Sequence, residues 1–270
     1  MGLFTEIMTK HSCQGVPLPS NIYFIASCNP YRLATKEDET YEFKIEGFRE
    51  KRLAYTINPL PFALINFVFN FGGLTPENEK NYINNMIVNP IENFFKENNF
   101  NRKYWKEHLS QEDNKLCQEL KKLASDAIIK AQNFIREKQD ISSVSLREIR
   151  RFCIFYEFFV EYFRKIKKLF EEKDKKEFDD YMFRNFYVNL SKKEIYINSI
   201  KLSIYLCYYI RLSKKEFRKE FSNMMNRLFG DYFLEVPLHE QEFIAKNIDM
   251  KKGIAKNKIL LENLSPLLLV

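Results

Sequence analysis

The chain has 270 residues, 45% hydrophobic content and a formal net charge of +7 from 43 basic and 36 acidic side chains. That is enough apolar mass to bury a sizeable core, and the charge is interspersed as solvated helix faces are, with no nucleic-acid motif. No apolar run reaches the roughly 18–20 residues that span a bilayer, and no signal peptide is read at the start.

The residue types favour helix. Glycine is scarce at 7, whereas phenylalanine numbers 26 and tyrosine 15, which suits long helices with few tight turns. The five cysteines (Cys13, Cys28, Cys117, Cys153, Cys207) are odd in number and never form C-x-x-C. Disulfides are not expected, and a reducing, cytoplasmic setting fits. His11, His108 and His239 are far apart, and His11 with Cys13 finds no second pair, so no metal site is expected.

In chain order, Leu3, Ile7 and Met8 have helical spacing, and "QGVPLPSN" breaks into a loop. "IYFIAS" (Ile22–Ser27) is apolar on both faces, which predicts a buried strand, and it runs directly into Asn29-Pro30. An acid-containing polar segment follows, then "LAYTI" (Leu53–Ile57) as a second strand closed by Pro59 and Pro61. From Phe62 the period becomes helical. Phe62–Phe71 is an apolar helix ending at Gly72-Gly73, and Thr75-Pro76-Glu77 is a helix start.

Ser110 and Asp113 have capping spacing and open one long helix over 110–138. Ser142–Phe170 is the strongest helix, with Phe152, Phe155, Phe159, Phe163, Ile166 and Phe170 repeating at three and four. Helices follow over 174–188, 192–210 and 213–229, with Gly230 as a C-cap, then around Glu240–Ile248 and Gly253–Leu264. No internal repeat is visible.

A polar residue just past a buried strand is well sited for ligands in an α/β sheet. Read locally, an ordinary Asn-Pro turn is the simpler reading of Asn29, and a surface arginine beside an N-cap Ser145 is the simpler reading of Arg147.

Several pieces, in order, resemble the AAA+ core of mysterin-type giant RING ubiquitin ligases, whose ATPase ring is dynein-like. They are "GLFTEIM…GVPLPSNIYFIASCNPYR", "LAYTINPLPFALINFVFNFGGL", "ENEKNYINNMI", "SSVSLREIRRFCIFYEFF" and "GIAKNKILLENL". The stretches around 100–140 and 165–235 match only in character.

The resemblance implies a mostly α chain: the C-terminal remnant of an AAA+ α/β nucleotide-binding subdomain over 1–60, a large helical lid over 61–235, and a linker with the first helix of a next module over 236–270. It implies that Asn29 is sensor 1, which positions the attacking water. It implies that Arg147, in Ser145-Leu146-Arg147-Glu148, is sensor 2 on the γ-phosphate, a role that suits a permanently charged planar fork. Arg49 and Arg52 are arginine-finger candidates by the same resemblance, with a solvated basic turn as the simpler reading.

The sequence departs from that family where phosphate binding is concerned. It has no G-x-x-x-x-G-K-[ST], no apolar strand ending in Asp-Glu, and no Cys/His cluster for a RING. The chain is therefore expected to lie between one Walker B and the next Walker A. ATP and Mg are expected in the intact parent and none for this chain alone. The partners implied are adjacent AAA+ modules of the same parent and, through it, the ubiquitin machinery. A non-catalytic helical scaffold, or a midasin- or dynein-type AAA+ module, is the alternative.

Overall fold

The computed structural model describes residues 2–27, 62–69, 74–96, 110–139, 143–172 and 181–247. It divides into two compact units, residues 1–74 and 75–270.

The described part of the first unit is small. Helix α1 (Gly2–Lys10) leads into a two-residue hairpin, β1 (Ser12–Cys13) antiparallel to β2 (Val16–Pro17). The turn needs two left-handed residues, supplied by Gln14 (φ 51°) and Gly15 (φ 79°), the pairing a two-residue hairpin prefers. Glu6 fastens helix to turn: its Oε1 accepts from Gly15 N at 2.7 Å and from Ser12 Oγ at 2.9 Å. The Gly15 N–H, then the Ser12 hydroxyl, hold its carboxyl below the ordinary pKa.

The buried strand expected over Ile22–Ser27 is not found. These residues have no strand pairing and are exposed, Tyr23 at 85% and Ile25 at 96%. Strand structure exists only against a paired strand, and among the described residues this segment has none. The expected second strand, Leu53–Ile57, lies outside the described residues. Helix α2 (Phe62–Ile65) is shorter than its apolar run promised. It tightens at once into i→i+3 bonds, Phe67 N to Leu64 O and Val68 N to Ile65 O. Of its four residues only Leu64 is buried, and an apolar helix without cover gains little from continuing.

The described part of the second unit is all helix. Helix α3 (Pro76–Lys96) begins as read: Thr75 Oγ1 accepts from Asn78 N at 3.2 Å, and Pro76 opens the first turn. Helix α4 (Gln111–Lys138) is capped by Ser110, whose side chain accepts from Asp113 N at 3.0 Å. Helix α5 (Leu146–Glu172) buries Phe152, Phe159, Phe163, Ile166 and Phe170, the stripe read from the sequence, while Phe155 is half-buried at its edge.

Helix α6 (Tyr181–Asn189) ends where Lys167 Nζ donates to the Leu190 carbonyl at 2.6 Å. Helix α7 (Lys192–Cys207) carries a full capping box between Ser191 and Glu194. A short 3-10 turn, Tyr209–Arg211, links it to α8 (Lys215–Phe229), which stops at Gly230 in the left-handed conformation (φ 77°). Helix α9 (Glu235–Asn247) starts at "EVPL", ahead of the helical pattern read around Glu240–Ile248. Pro237 falls in the first turn, where a missing N–H costs no intrahelical bond.

Helix α7 is the axis of this unit. It packs on α5, α4 and α9, and it is buried from Ile195 to Cys207 apart from the half-buried Ile197. Three of its buried polar members reach partners. Ser199 Oγ and Ser203 Oγ donate back to Ile195 O and Ser199 O, and Lys201, 2% exposed, reaches Asp231 at 2.7 Å. No helix among the described residues is long and apolar enough to cross a membrane.

Candidate functional site at the start of helix α5

The Ser145-Leu146-Arg147-Glu148 piece forms the first turn of α5. The geometry is a reciprocal cap: Ser145 Oγ accepts from Arg147 N at 3.3 Å, and Glu148 Oε2 accepts from Ser145 N at 2.7 Å and from Ser145 Oγ at 3.1 Å. Two of the free N–H groups at a helix start are thereby satisfied.

Long side chains from elsewhere fix the approach to this turn. Gln132 of α4 donates Nε2 to Ser145 O at 3.2 Å. Arg136 of α4 holds Glu79 of α3 in a two-point grip at 2.7 and 2.6 Å and also reaches Val144 O at 3.5 Å. Arg211 donates to Ser143 O at 2.5 Å and lies 3.3 Å from Glu148 Oε1. Three consecutive carbonyls before α5 are thus held by three cationic or amide side chains.

Glu148 is the buried centre of this arrangement. Burial pushes its pKa up, but the Ser145 backbone N–H, its own N–H, the Ser145 hydroxyl and Arg211 together outweigh burial and leave it below the ordinary value. Arg136 is driven the other way: its bonds to Glu79 raise its pKa despite burial.

Arg147 itself points outward. It is exposed, and no side-chain partner is found for it among the described residues. Arg150 and Arg151 are exposed on the next turn, Arg151 lying 3.7 Å from Glu148 Oε1. Positive charge at a helix N-terminus opposes the helix dipole, by about 0.3–1 kcal/mol per charge at the surface. An anion placed there reverses that sign and would meet the guanidinium, the cap having taken the Ser145 and Arg147 N–H groups.

Of the other residues singled out in the sequence, Asn29, Arg49 and Arg52 lie outside the described residues. The supporting residues Gln132, Arg136 and Arg211 carried no sequence signal, because Arg211 is sixty-eight positions from the carbonyl it holds. Only the S-x-x-E spacing of Ser145 and Glu148 announced the cap.

The chain matches no protein-family profile and no solved structure. It is similar to curated proteins, however. It is 24% identical to the E3 ubiquitin-protein ligase RNF213 of Homo sapiens over 96% of this chain and 5% of that protein. It is 25% identical to the E3 ubiquitin-protein ligase rnf213-beta of Danio rerio, again over 96% of this chain and 5% of the relative. The Mus musculus RNF213 is 21% identical over the same shares. The chain thus spans about one twentieth of the length of these relatives. The likeness carried by the short motifs accordingly extends over 96% of the chain, which is similar to one stretch of the RNF213, or mysterin-type, ubiquitin ligases.

Proposed function

We propose that this chain works as a segment of the AAA+ ATPase ring of a mysterin-like ubiquitin ligase, with Asn29 as sensor 1 and Arg147 as sensor 2. The observation that carries the reading is the end-to-end similarity to RNF213 proteins, joined to the exposed seat of Arg147 on a firmly capped first turn.

The chemistry of the donor set fits a nucleotide in part. A guanidinium suits phosphate oxygens, and charge placed on the transferring phosphoryl group is the main device of phosphoryl transfer. The Asn29 amide suits orienting a water. The phosphate cradle and the carboxylates for Mg are not encoded here, since no G-x-x-x-x-G-K-[ST] occurs. Adjacent modules of the parent would supply them, the parent would engage the ubiquitin machinery, and the setting would be cytoplasmic. Arg49 and Arg52 remain candidates for an arginine finger.

The test is ATP turnover by a longer parent carrying this chain. Arg147→Ala and Asn29→Ala should each slow turnover about a hundredfold, the loss expected for one transition-state donor. Unchanged turnover in both variants would rule the two sensors out. The chain by itself should show no submillimolar affinity for ATP in a calorimetric titration. A non-catalytic helical interaction module is the second reading, favoured by the solvent face of α5, and it predicts unchanged turnover in both variants.

A further inference from the structure

Helix α5 buries one face in the core, and its opposite face is mixed in an unusual way. Ile154 is 57% exposed, Phe158 38% and Leu169 54%. Ile154 and Phe158 stand one turn apart, and Leu169 lies three turns further along the same side. Lone exposed apolar residues need no explanation, but an aligned row on one long helix does. Arg150 and Arg151 precede the row as exposed side chains, and Lys165 lies within it with its side chain 76% exposed.

We infer that this face of α5 is a docking surface for an acidic polypeptide segment that carries bulky apolar anchors one helical turn apart. The pattern of anchors fits an amphipathic helix laid along α5. The charge fixes the partner's sign, because the turn holding Arg150 and Arg151 carries no exposed acid. A lipid surface is disfavoured by the exposed carboxylates of Glu161 and Glu172, which sit among the lysines at 3.5 Å from Lys165 and 3.6 Å from Lys168. Alternating signs suit a partner with discrete charges. The inference stands apart from nucleotide chemistry and does not use Arg147.

The experiment is selection of random peptides displayed on phage against the full chain, followed by fluorescence anisotropy with the selected peptides. The expected winners are net acidic, with two large apolar residues three or four positions apart. They should bind about tenfold more weakly to an R150E/R151E variant and to an I154A/F158A variant. Added salt should weaken them further. Arg150, Arg151 and Ile154 face solvent and Phe158 is partly exposed at the edge of its ring contacts with Phe159 and Tyr162, so both variants should keep the parent's helical circular dichroism. Lys165→Glu provides an independent single change with the same expected direction. The inference is overturned if no peptide is selected, if winners lack acids, or if they bind the variants as well as the parent. It is also overturned if anionic phosphatidylserine vesicles bind in their place and lose binding to R150E/R151E. Dimerisation of the chain that I154A/F158A abolishes would overturn it as well.

Discussion

Glu148 offers the sharpest test of how the α5 start is held. Glu148→Ala removes the acceptor for Ser145 N–H and its hydroxyl, and the carboxylate facing Arg211. The cap contact is worth about 1 kcal/mol. The Arg211 contact adds about 1 kcal/mol rather than the full cost of a broken buried pair, because Arg211 keeps the Ser143 carbonyl and its side chain is one third exposed. The expected loss is therefore about 2 kcal/mol in Glu148→Ala, and about 1 kcal/mol in Glu148→Gln, which keeps an acceptor but not the charge.

Urea unfolding followed by helical circular dichroism measures both, and a cycle with Arg211→Met should return a coupling near 1 kcal/mol. The pH dependence has a definite sign. The folded Glu148 pKa lies below the ordinary value, so its contribution is present above the ordinary carboxylate range of about 4.3 and is lost as pH falls through the folded value. Glu148→Gln should lack that acid-side loss. A Glu148→Ala protein within about 0.5 kcal/mol of the parent, or an unchanged acid limb in Glu148→Gln, would refute the reasoning.

Phe163→Ala, in a fully buried position beside Tyr187, should cost about 3–5 kcal/mol in the same unfolding experiment. Lys201 presents the opposite case. Asp231→Ala strands a buried ammonium and should cost about 1–3 kcal/mol, whereas Lys201→Met, which removes the charge and keeps the stem, should stay within about 1 kcal/mol of the parent. Thiol labelling mapped by mass spectrometry should find Cys117, Cys153 and Cys207 protected until unfolding. All three are buried, and burial pushes the Cys153 thiol up to about 12 and raises that of Cys207.

The sequence by itself determined the helical elements of residues 75–247 where a local cause acts. Thr75-Pro76, Ser110 with Asp113, and Ser191 with Glu194 set helix starts through bonds three residues long. The aromatic repeat of α5 fixed its buried face, because period and burial are one geometric fact. Gly230 marked a stop through its positive φ. The likeness to mysterin-type proteins was also legible from short motifs, and it extends over nearly the whole chain.

Tertiary structure alone decided the rest. The apolar run Ile22–Ser27 read as a buried strand, yet burial is a property of what lies against it, and among the described residues nothing pairs with it. Helix α7 shows little amphipathic pattern because it is covered on every side, a central place that no local rule assigns. The seat of Arg147 depends on Gln132, Arg136 and Arg211, which converge on residues 143–145 from distant points of the chain. Such convergence has no sequence period, so the residues that hold the candidate site were invisible until the helices were packed.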